Sequence, residues 1–400
     1  MQEEILDKSY NLDSLKNNKS LEKSKISNII ASLAFIGLIT TIILLIFNNR
    51  NSMSFSSNLT YKLLKEENDY SFVIEYITEE DDKTIEIINP DFKNIISKLE
   101  IDGEEVEACT SYNFKSKGIH KIYFTLNLEG VTSFNQMFYE NNYLTSISFS
   151  PSFNTENITE WSFWFGACNN LQSIDLTKLN FRKTRSLVHT FSYCKSLKTA
   201  DLSNIYAEEL TDFSATFYSS TSLTFINLTN FNAPKLWEMI HTFEGCTSLT
   251  SIDFTNFKAP KLMTLQSAFY KAPSLKSINL SSIETDDFRV LIDAFYGCHS
   301  LEHLYLPKII LKKDVSIIRT FYNCYSLTSI DLSNYAGREV SSDAFEGCTN
   351  LTYIDISSFN TVNGKLFTNL PKEGEITVNK KVYESIKDQI PEDWKILLVK

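Results

Sequence analysis

Glycine is scarce, 11 in a chain of 400 residues. A Gly-rich loop cradling phosphate is therefore not expected. None of the spellings G-x-x-x-x-G-K-[ST], G-x-S-x-G, H-E-x-x-H or C-x-x-C occurs. The D-x-D of many membrane-anchored glycosyltransferases is missing too. Positive charge is in short supply: 38 Lys and Arg stand against 49 Asp and Glu, a net −11. With no compact basic patch, nucleic acid is not expected as a partner, because neutralising phosphates takes clustered cations. The five histidines are scattered. His299 and His303 are four apart but straddle the entry to an expected strand, so they do not share a helical face as a metal pair would. The chain reads as a non-enzyme without cofactor or metal.

What the chain does have is aromatic residues, 29 Phe and 19 Tyr, enough for a large aromatic-filled core. It also has one long apolar run. "ISNIIASLAFIGLITTIILLIF", residues 26–47, carries no charge. As a helix its 22 residues span about 33 Å, the thickness of a bilayer core. A cleaved signal peptide is the rival reading, but the run is long for one and starts late. Lys16, Lys19, Lys23 and Lys25 precede the run, against Arg50 and Lys62 after it. That asymmetry places the N-terminus in the cytoplasm of a single-pass plasma-membrane protein and the rest outside.

The rest is periodic. Phe138, Phe165, Phe191, Phe217, Phe243, Phe269, Phe295, Phe321 and Phe345 follow at steps of 27, then 26 six times, then 24. Six residues after each comes a Leu, such as Leu171 or Leu249, with apolar residues three, five and eight further on. This is the leucine-rich-repeat spelling L-x-x-I-x-L-x-x-F. The alternating section reads as a short strand. Trios such as Leu210, Phe213 and Phe217 recur at steps of three and four, which predicts a helix in the rest of each repeat. Pro234 and Pro260 would open two of these helices.

The fold expected is an α/β leucine-rich-repeat solenoid of about nine 26-residue repeats. A parallel sheet lies on the concave side and helices on the convex side. The expected organisation is a cytoplasmic tail 1–25, a transmembrane helix 26–47, a stalk 48–65, a β-rich N-terminal cap 66–132, the array 133–370 and a C-terminal cap 371–400. Six cysteines, Cys168, Cys194, Cys246, Cys298, Cys324 and Cys348, sit three residues after a Phe. The same slot holds Asn141, Ser220 and Ala272, so it takes a small residue, and buried thiols are expected. A disulfide ladder between neighbouring coils is the alternative.

"F-x-x-C-x-S-L-x-S-I-D-L-S-N-F", spelled closely at Phe243–Phe257 and Phe321–Tyr335, resembles the BspA-like leucine-rich-repeat surface proteins of bacteria and protists. The resemblance covers roughly residues 95–400, including "ISKLEIDGEEV" and "IPEDWKILLV". It implies a surface or secreted protein, adhesion to host or matrix proteins, and no catalytic residues. The N-terminal anchor departs from that family's usual means of display.

The outward strand face supplies the candidate binding residues. Its middle column includes Asp175, Asp201, Asp253, Asp331 and Asp355, flanked by Ser and Thr. Phe225, His303, Tyr305 and Tyr353 break the polar pattern, as interface anchors do. A solvated polar face with drift in one coil is the plainer alternative. Candidate N-glycosylation acceptors are Asn58, Asn157, Asn227, Asn279 and Asn350; in a bacterial host they carry no meaning. The function expected is binding of an extracellular protein or glycan by a membrane-anchored ectodomain, in adhesion to host cells, matrix or other cells. A passive surface-coat glycoprotein and a short-tailed receptor are the alternatives.

Overall fold

The computed structural model describes residues 70–309, 314–341 and 343–399. The apolar run 26–47, the tail and stalk beside it, and Asn58 lie outside them. Among the described residues no helix is long and apolar enough to cross a membrane.

The chain opens with seven strands: β1 (Phe72–Thr78), β2 (Lys83–Glu86), β3 (Ile96–Ile101), β4 (Glu104–Val106), β5 (Ser111–Phe114), β6 (Gly118–Leu126) and β7 (Leu144–Phe149). Five form an antiparallel sheet in the order β4-β3-β6-β1-β7. Alternation drives it: Phe72, Ile74 and Tyr76 all point into the core. This sheet seals the first coil. The Phe72 ring touches Phe124, Phe138, Phe149 and Phe153 at 5.3–6.3 Å between centroids. Asn141 takes the small slot of that coil because its neighbour is this sheet. Its amide donates to the Tyr76 hydroxyl and to Glu86 O. Gln172 N–H then bonds to Thr145 O at 3.1 Å, carrying β7 into the array.

The array continues with β8 (Ser173–Asp175), β9 (Thr199–Asp201), β10 (Phe225–Asn227), β11 (Ser251–Asp253), β12 (Ser277–Asn279), β13 (Glu284–Thr285), β14 (His303–Tyr305), β15 (Lys308–Ile309), β16 (Ser329–Asp331), β17 (Gly337–Ser341), β18 (Tyr353–Asp355) and β19 (Phe359–Asn363). β20 (Gly374–Asn379), the helix α1 (Lys380–Ile386) and β21 (Trp394–Val399) close the chain. The main strands pair in parallel, one coil on the next, with Ile174, Ala200, Ile226 and Ile252 in one interior row. The result is a β-solenoid of about nine turns. Its strand side is three hydrogen-bonded runs, β8 to β11, β12 with β14, and β16-β18-β20-β21.

The expected helices are absent. Among the described residues the only helical elements are the 3-10 helix Pro90–Ile95 and α1. The opposite side of each coil is a chain of turns whose N–H groups point two ways. Cys246 N–H bonds back to Phe243 O at 3.2 Å, while Phe243 N–H bonds to Ala268 O of the next coil at 2.8 Å. An α-helix would use its N–H groups internally. Each such turn chain also takes positive φ two residues before or after its Phe, as at Ala215 (52°) and Ser219 (55°), or His241 (55°) and Gly245 (70°). A helix of L-residues excludes that conformation. The physical reason is width. Strands stack about 4.8 Å apart, whereas packed helices need about 10 Å, so turns that bond to the next coil fit the rise and helices do not. Turns place apolar side chains three and four apart just as a helix does. Gly245, Gly297 and Gly347, each two residues after a Phe, gave no warning, because glycine also closes helices.

Three side-chain ladders run along the stack. The nine phenylalanines are buried, and each ring stacks on the next at 5.2–5.9 Å. The six slot cysteines are free thiols and buried. Each donates its S–H to the carbonyl of the preceding Phe, as Cys194 Sγ does to Phe165 O at 3.1 Å. Ser220 Oγ makes the same bond to Phe191 O at 2.7 Å. The slot suits a small donor, Cys in six coils and Ser in one, although Ala272 fills it without such a bond. Asn204, Asn230 and Asn256, all at positive φ, pass amide hydrogen bonds of 2.9 Å from coil to coil.

Candidate functional site

The strand face is built from the middle three residues of each coil. The central residue points into the core and its two neighbours point out, so two outward columns run along the stack. The first holds Ser173, Thr199, Phe225 and Ser251 in register, then Ser277 beside His303, then Ser329 beside Tyr353. The second holds Asp175, Asp201, Asn227 and Asp253, then Asn279 beside Tyr305, then Asp331 beside Asp355.

The carboxylates of the second column are occupied locally. Asp175, Asp201, Asp253, Asp331 and Asp355 each accept, through Oδ1, the backbone N–H two residues on at 2.8–2.9 Å. Asn227 and Asn279 do the same at 3.1 and 3.0 Å. The side chain ends the strand and starts the turn. Bonds from the Thr255 hydroxyl and N–H hold the Asp253 carboxyl below its usual range. The regular acidic column is thus first a turn-forming device. Asp355 is moreover buried, 8 % exposed beside the buried Thr377, and so is not on an accessible face. Replacing Asp253 by Ala is expected to lower stability by about 1 kcal/mol in urea denaturation. Asp253→Asn is expected to cost less, because Asn already serves at 227 and 279.

The exception has a reason. Tyr305 stands where the residue two on is Pro307, which has no N–H to cap. The acid is dispensable there, and Tyr305 projects with 59 % of its surface exposed. His303 is exposed on the same strand, Phe225 is 38 % exposed, and Tyr353 is half-buried. His303 lies in the second hydrogen-bonded run and Tyr353 in the third, and β14 and β16 are not paired. Phe225 lies in the first run, on β10. His303 and Tyr305 therefore share one strand, while Phe225 and Tyr353 stand in the other two runs. His299 does not join them; its ring stacks on Tyr325 at 4.8 Å. Of the described sequons, Asn157, Asn279 and Asn350 are exposed and Asn227 is half-buried.

Two family models match the chain. "BspA type Leucine rich repeat region" matches residues 290–390, in six copies. "Mycoplasma protein of unknown function, DUF285" matches residues 107–224 and 185–308. Among solved structures the chain is similar to a leucine-rich repeat protein from Bacteroides ovatus, at 18% identity over 73% of this chain and 89% of that one, TM-score 0.32. It is also similar to a leucine rich cell surface protein from Faecalibacterium prausnitzii, at 17% identity over 62% and 83%, TM-score 0.23. An internalin from Listeria monocytogenes matches at 10% identity over 64% and 79%, TM-score 0.28. No curated protein matches. The DUF285 model takes in half of the chain, residues 107–308, so the chain belongs to that Mycoplasma family, and its residues 290–390 carry leucine-rich repeats of the BspA type.

Proposed function

We propose that this is a membrane-anchored cell-surface protein whose repeat ectodomain binds a protein or glycan partner through its strand face, in adhesion. The observation that supports it is the exposed pair His303 and Tyr305 on β14, with Phe225 and Tyr353 on strands of the other two runs. These are rings presented on a face otherwise made of Ser, Thr, Asp and Asn. Rings of this kind offer a large apolar face with a polar edge, which suits both a sugar ring and a protein surface. Anchoring through residues 26–47, with the N-terminus cytoplasmic, completes the reading. The passive-coat alternative is favoured by one observation, the use of the Asp and Asn column for turn capping.

The test is binding of the full-length chain, in lipid nanodiscs, to intact cells and to a panel of matrix proteins and glycans. Saturable binding is expected, and its loss in a folded variant carrying Phe225→Ser, His303→Ser, Tyr305→Asp and Tyr353→Ser. Equal binding by both chains would move the site off the strand face. Binding by neither would leave the coat reading.

A further inference from the structure

One residue past each core phenylalanine, on the turn side, the side chain leaves the core. Gly166, Ser192, Glu244 and Glu346 all serve in this slot, so the fold does not require a ring there. Yet three consecutive coils place a tyrosine in it, Tyr270, Tyr296 and Tyr322, 26 residues apart each time. Their rings form a stack of their own. Tyr270 and Tyr296 lie 4.7 Å apart at 24°, and Tyr296 and Tyr322 lie 4.7 Å apart at 5°. That is closer than any step of the phenylalanine column, whose shortest is 5.2 Å. Backbone bonds fix the register: Lys271 N–H reaches Tyr296 O at 2.7 Å, and Gly297 N–H reaches Tyr322 O at 2.8 Å. All three tyrosines are half-buried, so solutes reach them. The Tyr322 hydroxyl donates to Glu346 Oε1 at 3.4 Å, and the Glu346 charge holds this phenol above its usual range.

We propose that Tyr270, Tyr296 and Tyr322 are a site of oxidative cross-linking, in which Tyr296 couples to a neighbour and staples two coils together. The oxidant is hydrogen peroxide, spent by a haem peroxidase. Each of two phenols gives up one electron and one proton. The two phenoxyl radicals then form a carbon–carbon bond between ring carbons ortho to oxygen. The two ortho hydrogens leave as protons and the two oxygens regain protons, which restores both phenols. Peroxide takes up the two electrons and two protons and leaves as two waters. Glu346 is the base that receives the Tyr322 phenol proton. Stacking matters because the unpaired electron occupies π lobes, and face-to-face rings point those lobes at each other. The edge-on pairs Tyr193–Tyr218, 5.3 Å at 67°, and Tyr70–Tyr123, 5.5 Å at 76°, lack that overlap. The place suits a staple. Tyr296 and Tyr322 belong to the coils of β14 and β16, which do not pair on the strand side. A solenoid is held only by contacts between neighbours, so this step lacks one of its usual ties. A bond between residues 26 apart also restricts the unfolded chain, as a disulfide does.

The test treats the full-length chain, in mild detergent, with hydrogen peroxide and a haem peroxidase. Dityrosine fluorescence should appear. Peptide mass spectrometry should find Tyr296 joined within one chain to Tyr270 or Tyr322, with two hydrogens lost. Tyr296→Phe keeps a ring in the stack and should remove these products, because Tyr270 and Tyr322 are then two coils apart, about 10 Å. The coupled chain should unfold at higher urea than the untreated chain, a gain that Tyr296→Phe treated alike should not show. Absence of dityrosine while peroxide is consumed overturns the proposal. So does coupling chiefly between chains or at Tyr193–Tyr218, or the same products at the same yield from chain unfolded in urea. An unchanged urea transition after coupling overturns the stapling role.

Discussion

Phe243→Ala is expected to destabilise the folded chain by about 3–5 kcal/mol, the range for emptying a buried aromatic site. Phe243 is fully buried and stacks on both sides, against Phe217 at 5.9 Å and Phe269 at 5.3 Å. Removing the ring opens a cavity and breaks two ring contacts. The surrounding backbone cannot collapse into the gap, because Phe243 N–H is held by Ala268 O of the next coil and Phe243 O by Cys246 N–H. A solenoid is coupled only between nearest neighbours, so this lesion also weakens the link between the two halves of the array. Urea denaturation followed by circular dichroism should show a lower midpoint and a smaller or divided transition. Phe345→Ala should cost less, since that ring stacks on Phe321 alone in the column.

Raising the pH from about 8.5 to 11 is expected to unfold the chain under reducing conditions. Burial pushes the thiols of Cys194, Cys246, Cys298 and Cys348 up to about 12. Burial also raises Cys168 and Cys324 well above the ordinary range. The sign follows from linkage. Below about pH 8.5 these thiols are protonated both folded and unfolded, and they contribute no pH dependence. Above it the unfolded chain ionises while the folded chain keeps its protons, so stability falls until pH reaches the folded value. Each buried thiol contributes a loss of about 1 kcal/mol per pH unit in that window. Six together exceed the stability of an ordinary domain within about two pH units. Substituting all six by Ser, which position 220 shows to fit the slot, should move the alkaline midpoint upward. A midpoint unchanged by that substitution would assign the transition to other groups, such as the buried hydroxyl of Tyr76.

Much of this molecule was legible in one dimension. The beat of Phe, Leu and I-x-L set the number of coils, their register and the inward rows. A repeat that contacts only its neighbours writes its packing into its own period. The small slot was legible too, although its preference for a donor was not. That preference comes from a Phe carbonyl one coil away, 29 residues earlier for Cys194.

The turn side was misread for the same reason. Steps of three and four are shared by helices and by chains of turns, and the choice lay with N–H groups whose partners sit in the next coil. The turn-capping work of the Asp column, each Oδ1 holding a backbone N–H, was not legible in one dimension, and Tyr305 gains its freedom from Pro307. Sequence alone determined the repeat, its BspA type and the aromatic core, because these depend on spacing along the chain. Tertiary structure alone decided which polar groups are already satisfied and whether the turn side forms helices. Both depend on what each coil finds beside it.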